Sequence, residues 1–324
     1  MREPIDWHEG RLLSTRDLAA DIRLFEIDPL GRFVAPAPGS HVTLAVLIGE
    51  RPDRRCYSLL GPCADGLYRI AVKLHPESRG GSAYLWSLVP GARLTLSAPA
   101  NHFVLGFHRP DYLLIAGGIG ITPIYAMALA LAETGARFRL LYACRRRQDL
   151  ALAEDLRERI GDRLETYLDE ERSQIDFAAG IARLAPGGEL YACGPVGMLD
   201  AIREAWRQSA RPVEGLRFET FGNTGRYAAE PFTLTIPRLG KEIVVPRNQT
   251  MLDALEAAGV AMIHDCRRGE CGLCAVDVLS LAGVIDHRDV YFSARQKAEN
   301  RKICTCVSRV VQGGLAIDTG DRCE

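Results

Sequence analysis

From about Leu12 to Ala100 apolar and polar residues alternate over short runs, as in Tyr68-Arg-Ile-Ala-Val-Lys-Leu74, where Ile70, Val72 and Leu74 face one way. A period of two is that of a half-buried strand. Turn-forming residues punctuate the runs at Pro36-Ala-Pro-Gly39, Gly61-Pro62, Gly80-Gly81 and Pro90-Gly91. This part therefore predicts an antiparallel β-barrel. After Pro110 the rhythm changes to an apolar strand, Tyr112-Leu-Leu-Ile-Ala116, then glycines, a helix from Ile124 to Glu133 and a strand at Phe138-Arg-Leu-Leu-Tyr142. Helices over 150–160, 176–184 and 197–208 alternate with strands over 164–168, 189–192 and 216–221. Strand, helix, strand implies parallel pairing, so an α/β doubly wound, nucleotide-binding domain is expected.

The run Gly222-Asn-Thr-Gly-Arg-Tyr-Ala-Ala-Glu-Pro231 is small, polar and turn-forming, and reads as a linker. Beyond it, strands over Phe232–Ile236 and Glu242–Val245 precede a helix with Thr250 as N-cap and Asp253 at its third position, where a carboxylate suits the helix dipole. The expected organisation is a barrel over 1–105, an α/β domain over 106–223, a linker over 224–231 and a third domain over 232–324. No internal repeat or low-complexity tract interrupts it.

Composition narrows the function without naming it. Lys and Arg total 40 against 41 Asp and Glu, so net charge invites neither nucleic acid nor an anionic membrane. No apolar run reaches the roughly 20 residues that span a bilayer, and Met-Arg-Glu-Pro-Ile-Asp-Trp-His lacks the basic-then-apolar pattern of a signal peptide. We expect a cytoplasmic protein. Of 10 cysteines, Cys266, Cys271, Cys274, Cys304 and Cys306 crowd into one stretch, as metal-ligating thiols do in a reducing compartment.

Cys266-Arg-Arg-Gly-Glu-Cys271-Gly-Leu-Cys274 has the C-x4-C-x2-C spacing of plant-type 2Fe-2S ferredoxins, with a fourth thiolate expected farther on. Two irons need four thiolates in a loop tight enough to aim backbone N–H groups at sulfur, and Gly269 and Gly272 permit such turns. Ile303-Cys304-Thr-Cys306 offers two candidates for the fourth, and residues two apart on a strand face the same side. Cys306 is the preferred one. Buried inert thiols or a four-thiolate zinc site are the alternatives.

Ala116-Gly117-Gly118-Ile-Gly120-Ile-Thr122-Pro123 lies between a strand and a helix, where amides and the helix dipole meet a pyrophosphate. It departs from G-x-G-x-x-G. The next strand ends in Arg145-Arg146-Arg147, which either meets a ribose 2′-phosphate or forms a solvated turn. Tyr191-Ala-Cys193-Gly194-Pro195 places Cys193 at the carboxyl edge of the sheet, as a ligand-facing group or a small core residue. In the barrel, Arg54-Arg55-Cys-Tyr57-Ser58 joins a cation, an aromatic face and a hydroxyl, suited to the phosphate, ring and N5 of a flavin. Lys73, His75 and Arg79-Gly80-Gly81-Ser82 form a second anion cradle or an exposed turn.

Together these pieces resemble the ferredoxin-NADP+ reductase superfamily, and within it the phthalate dioxygenase reductase and vanillate demethylase reductase type, over nearly the whole chain. The resemblance implies that the third domain is an α+β, β-grasp ferredoxin. It implies FMN held by Arg55, Tyr57 and Ser58, the R-x-Y-S motif, and by the phosphate turn at Gly80, Gly81 and Ser82. It implies a nicotinamide site lined by Gly117, Gly118, Gly120, Thr122, Pro123, Cys193, Gly194 and Pro195, with Phe221 near the flavin ring. Cys306-Val-Ser-Arg309 matches the family's C-V-S-R stretch, which makes Cys306 the fourth cluster ligand beside Cys266, Cys271 and Cys274. The C-T-C pair is a departure from the family, and so is the arginine run, which bears on the usual NADH preference.

The expected enzyme is an NAD(P)H:acceptor oxidoreductase, a flavoprotein of aromatic catabolism. NADH, with NADPH as the other donor, reduces FMN, and a 2Fe-2S cluster passes single electrons to a partner oxygenase. Ser58, Thr122 and Cys193 are the expected catalytic positions, and Lys73, Arg79 and Arg145 join the cofactor-binding set. A Rieske-type aromatic-ring hydroxylating or demethylating oxygenase is the first candidate partner and a haem-thiolate monooxygenase the second. A redox sensor and a free-flavin reductase are the competing readings, and neither uses all three domains.

Overall fold

The structure is a computed structural model and describes residues 6–48, 51–75, 80–221 and 225–320. The chain divides into two compact units, residues 1–194 with 201–219 and residues 195–200 with 220–324. The first unit carries two sheets.

Its first sheet uses β1 (Trp7–Ala19), β2 (Ile22–Asp28), β3 (Ser40–Ile48), β4 (Arg51–Ser58), β5 (Tyr68–Lys73), β6 (Arg93–Ser97) and the short β7 (Ala100–Asn101), with helix α1 (Gly81–Ser87) between β5 and β6. The strand order is β4-β3-β6-β1-β2-β5, with β7 beside β3. All pairings are antiparallel. Just past β4, Leu59 bridges Ile70 of β5 and Leu60 N–H donates to Arg69 O at 2.9 Å, joining the two sheet edges into a barrel. In β1 every second residue from His8 to Leu12 is buried, the period that encloses Leu12, Phe25, Val42, Leu44, Ile70 and Leu96 in one core. At about 25 cal/mol per Å² of apolar surface, such burial is the main term holding the barrel closed.

The second sheet is built from β8 (Tyr112–Gly117), α2 (Ile121–Glu133), β9 (Phe138–Cys144), α3 (Ala153–Ile160), β10 (Leu164–Leu168), α4 (Phe177–Ala182), β11 (Glu189–Cys193), α5 (Val196–Gln208) and β12 (Leu216–Glu219). The strands run β10-β9-β8-β11-β12, all parallel. All six residues of β8 are buried, as in a central strand covered on both faces. Because β8 and β11 are neighbours in space but not in sequence, the chain reverses direction across the sheet between them. Ligands bind at the carboxyl ends of strands at such a switch point.

The second unit holds β13 (Phe232–Ile236), β14 (Lys241–Val245), α6 (Met251–Ala257), β15 (Ala275–Asp286), α7 (Ala294–Glu299), β16 (Lys302–Cys304) and β17 (Arg309–Asp318). Its order is β14-β13-β17-β15-β16, with β13 parallel to β17 and the rest antiparallel. Met251 and Leu255 of α6 pack on Leu234, Ile236 and Ile317, the single-helix-on-sheet arrangement of a β-grasp. Thr250 and Asp253 form the expected cap as a reciprocal pair: Asp253 N–H donates to Thr250 Oγ1 at 3.0 Å, and Thr250 N–H to Asp253 Oδ2 at 3.2 Å.

Several elements differ from the pattern read along the chain. The strand expected over 216–221 ends at Glu219. The turn expected at Gly80-Gly81-Ser82 opens a helix, α1. The paired strands β15 and β17 carry no alternating strand signal in the sequence, because register shifts at Val278/Ser280 and Ala282/Val284 break their period of two. Among the described residues no helix is long and apolar enough to cross a membrane.

Candidate redox site

In the barrel, Arg55 on β4 bonds Asp53 Oδ2 at 2.7 Å and Arg54 O at 2.8 Å. Its side chain runs beside Gly81, where an added Cβ would sit 2.6 Å from Arg55 Nε and 2.8 Å from Cγ. A glycine at 81 is thus what lets the start of α1 meet the guanidinium. Among the described residues Ser82 Oγ is buried with no hydrogen-bond partner, and first-turn amides of a helix have no intrahelical acceptor. A guanidinium, an orphaned hydroxyl and open amides converge as a phosphate monoester requires, so the residues present fit FMN. Arg79, expected in this cradle, lies outside the described residues.

Tyr57 follows with its phenol pushed above its ordinary range by burial, which Arg55 opposes, so the ring is neutral. Ser58 is buried and lies across from His41 of β3. Lys73 is not free: its Nζ pairs with Asp21 Oδ2 at 3.1 Å. Burial first and Lys73 second lower the pKa of His75, which makes it a poor anion ligand near neutrality. The end of β5 packs against the turn Gly118–Gly120, so flavin-side and nucleotide-side residues adjoin within one unit.

In that turn Gly117 ends β8, and Gly118–Gly120 forms a single 3-10 turn before α2. A Cβ on Gly120 would collide with the carbonyl of Cys193 and the N of Gly194, so the glycine loop and the C-G-P strand end touch through bare backbone. Thr122 is 2% exposed and its Oγ1 donates to Ile119 O at 3.0 Å, tying the turn to the first turn of α2 that also holds Pro123. Cys193 is wholly buried at the end of β11. Pro195 lies in the second unit, and so does Phe221, half-buried two residues beyond β12.

The arginine run resolves into different partners. Arg146 chelates Asp149 at 3.2 and 3.1 Å. Arg147 takes Glu170 through its N–H at 2.7 Å and Glu171 through its guanidinium at 2.5 Å. Arg145 is exposed and has no ion pair among the described residues.

In the second unit the N–H groups of Arg268, Glu270 and Cys271 all point at Cys266 Sγ from 3.4 Å. Contact with Cys306, then those amides, hold the Cys266 thiol down at about 4 against burial. Cys304 and then Cys306 draw Cys274 down to about 3. Gly269 (φ +78°) and Gly272 (φ +73°) adopt left-handed backbone in the same loop. A Cβ at Gly269 would meet Val307 Cγ2 at 2.6 Å, and one at Gly272 would enter the ring of Tyr291. The five thiols are linked pairwise, and among the described residues no three His, Cys, Asp or Glu side chains converge as for one single ion. Amide-solvated thiolates in this loop fit a 2Fe-2S cluster.

One premise of the sequence reading fails here. Cys304 and Cys306 do not share a strand face, because Cys304 ends β16 and its carbonyl accepts from Val307 and Ser308, at 3.4 and 3.0 Å, in a turn. The turn lets Cys306 reach both Cys266 and Cys274, whereas Cys304 meets Cys274. Residues that carried no sequence signal also shape the sites. Asp21 holds Lys73, and Asp289, wholly buried, accepts from Ser308 Oγ at 3.2 Å and Phe292 N–H at 2.9 Å beside the cluster loop.

Residues 234–311 match the family of 2Fe-2S iron-sulfur cluster binding domains, and residues 114–204 match the oxidoreductase NAD-binding domain. The chain is 38% identical to phenoxybenzoate dioxygenase subunit beta of Ectopseudomonas oleovorans over 93% of either chain. The solved structure of a phthalate dioxygenase reductase, described as modular for electron transfer from pyridine nucleotides to [2Fe-2S], superposes with a TM-score of 0.74 at 32% identity, covering 97% of this chain and 98% of that one. An intact type IV self-sufficient cytochrome P450 monooxygenase matches 98% of this chain at 31% identity and a TM-score of 0.65, and this chain spans 43% of that longer one. Similarity of this extent, on the same order of sheets and with the thiolate loop in place, makes the chain a member of the phthalate dioxygenase reductase type of oxygenase reductases.

Proposed function

We propose that this protein is the electron-transfer component of a two-component oxygenase, drawing on NADH and delivering single electrons to a Rieske-type oxygenase that hydroxylates or demethylates an aromatic compound. The observation that carries the reading is the thiolate loop, in which three amides face one sulfur, on a chain that also has an anion cradle and a glycine turn. When bound, FMN takes up the two electrons of a hydride and the 2Fe-2S cluster passes them on one at a time.

The protein's own work is positioning. Arg55, Ser82 and the first-turn amides of α1 would hold the FMN phosphate, with the neutral Tyr57 ring placed to cover the flavin and Ser58 to donate to its N5. The backbone of Gly117, Gly118 and Gly120 admits the pyrophosphate. Thr122 and Pro123 fix the start of α2, and Cys193 and Gly194 fix the nicotinamide edge. Catalysis of this kind depends on holding reacting atoms close and aligned, and a positioned pair needs no acid or base from the chain. Thr122, whose hydroxyl bonds Ile119 O, therefore acts through the shape of the turn.

Cys266, Cys271, Cys274 and Cys306 are the proposed cluster ligands. The ion pairs of Arg146 and Arg147 leave Arg145 to meet a 2′-phosphate, which supports NADH as the better donor and NADPH as the weaker. Five close reduced thiols suit a cytoplasmic location. A haem-thiolate partner is the second reading, favoured by the match of nearly the whole chain to part of a self-sufficient P450.

An anaerobic titration of the purified protein with NADH, and separately with NADPH, tests the reading. Flavin and iron-sulfur absorption should bleach with uptake of about three electrons per chain, two for FMN and one for the cluster. A colourless protein, or a coloured one that neither nucleotide reduces, would sink it.

A further inference from the structure

The barrel has two ends, and the redox site uses the one at α1, which follows the end of β5. At the other end lie the starts of β1 and β5 and the end of β6, where His8 pairs with Leu96 and Trp7 with Ser97. A cleft of about 270 Å³ opens there, lined by Asp6, His8, Arg32, Phe33, Val34 and their neighbours. His8 is one of the inward positions of β1 and is 8% exposed, and its Nε2 is buried with no hydrogen-bond partner among the described residues. The opposite wall is fixed. Phe33 lies 5.3 Å from the Tyr68 ring, whose hydroxyl accepts from Val34 N–H at 2.9 Å and donates to Val34 O at 3.1 Å. Arg32 closes a tight turn by donating N–H to Pro29 O at 3.1 Å, with Leu30 (φ +48°) and Gly31 (φ +80°) both left-handed. A bulky residue in that region is strained, and Asp28 Oδ1, accepting from Leu30 N–H at 2.8 Å, helps to hold it there.

From this arrangement we propose that the cleft is a binding site for a single-ring phenol carrying a carboxylate: the hydroxyl bonds His8 Nε2, the ring lies on Phe33, and the carboxylate meets the Arg32 guanidinium. The volume is below the roughly 300–1,000 Å³ of sites for drug-sized ligands, so one ring fits where a nucleotide does not. A buried polar atom left without a partner costs free energy, which a ligand that bonds it recovers. Burial first and Arg32 second lower the pKa of His8, so the ring is neutral near pH 7. A hydroxyl both donates and accepts, and therefore satisfies Nε2 in either tautomer. Asp6 pairs with Arg32 at 3.6 Å, but both side chains are exposed and such a pair is worth little. The planar guanidinium has five N–H donors and binds carboxylates in a fork, so donors remain for the ligand. The cleft shares no residue with the anion cradle, the glycine turn or the thiolate loop, so the redox reading stands or falls separately.

The test is calorimetric titration of the intact, cofactor-loaded protein with 4-hydroxybenzoate, with phenol, which lacks the carboxylate, and with benzoate, which lacks the hydroxyl. 4-Hydroxybenzoate should bind tightest, and each of the others about tenfold more weakly. His8→Leu should bring 4-hydroxybenzoate down to the affinity of benzoate and leave benzoate unchanged. Arg32→Gln should bring it down to the affinity of phenol and leave phenol unchanged. Should leucine at position 8 prevent folding, the arginine variant still decides, because Arg32 is exposed. No heat of binding at millimolar 4-hydroxybenzoate would mean that the cleft holds only water and overturns the proposal. Equal affinity for all three probes, or binding that neither substitution weakens, overturns it as well. So does displacement of the probe by NAD+, which would put it in the nicotinamide site.

Discussion

Gly81 and Gly272 show how one missing side chain decides a site. At Gly81 the side chain of Arg55 occupies the space a Cβ would take, and at Gly272 the Tyr291 ring does. Gly81→Val should displace Arg55 from the start of α1 and weaken FMN binding by tenfold or more, about 1.4 kcal/mol, read as flavin retained after gel filtration. Retention equal to wild type would remove Gly81 from the cradle. Gly272→Ala combines a left-handed backbone with that collision, so iron content should fall while flavin content holds. Ser58→Ala is expected to slow the single-turnover reduction of the flavin by NADH without releasing FMN, and unchanged kinetics would refute the role given to Ser58. Arg145→Ala should lower kcat/KM for NADPH and leave the NADH value in place.

At the scale of elements, the segment 225–231 is more than a tether. Arg226 N–H donates to the buried Asp286 at 3.0 Å, Tyr227 O accepts from Arg288 at 3.2 Å, and Gln312 N–H donates to Glu230 Oε2 at 3.2 Å. Arg309, 4% exposed, also donates to Glu230 O and Pro246 O at 3.0 and 2.9 Å, and to Gln249 O. One buried guanidinium thereby satisfies three carbonyls from two segments. Arg309→Met should cost about 3 kcal/mol in the second unit, because it leaves buried carbonyls without donors. Thr250→Ala, which removes half of the capping box on α6, should cost about 1 kcal/mol. Chemical denaturation followed through the visible absorption of the cluster measures both. A loss within experimental error for Arg309→Met would mean that water replaces the arginine.

At the scale of the molecule, the residues proposed for FMN and most of those proposed for the nicotinamide fall in one compact unit, and the thiolate loop falls in the other. That division predicts separable activities. Cys274→Ser should abolish NADH-driven reduction of cytochrome c, which needs the cluster, while NADH still reduces the flavin at close to the wild-type rate. Loss of both activities would show that cluster assembly is required for the first unit to fold or bind FMN. Reduction of a purified Rieske oxygenase, compared with reduction of a haem-thiolate monooxygenase, separates the two proposed partners by rate.

What the sequence determined by itself is whatever depends on neighbours along the chain. The strand-helix rhythm after Pro110, the C-x4-C-x2-C loop, the Thr250–Asp253 cap and the glycine turn before α2 are local, set by periodicity, spacing and backbone freedom over a few residues. The strand Leu164–Leu168 was legible to the residue. Tertiary structure decided whatever depends on residues far apart. The closure of the barrel rests on Leu59 meeting Ile70, and the fit of α1 to Arg55 on two segments converging. The β15–β17 ladder was hidden because its two register shifts erase the alternation that marks a strand. The different surroundings of Cys304 and Cys306 follow from a turn whose amides bond the Cys304 carbonyl and whose Thr305 is held on Cys274. Spacing along the chain treats two cysteines two residues apart as near equals, and only the folded backbone ends a strand at Cys304 and carries Cys306 into the turn beyond it.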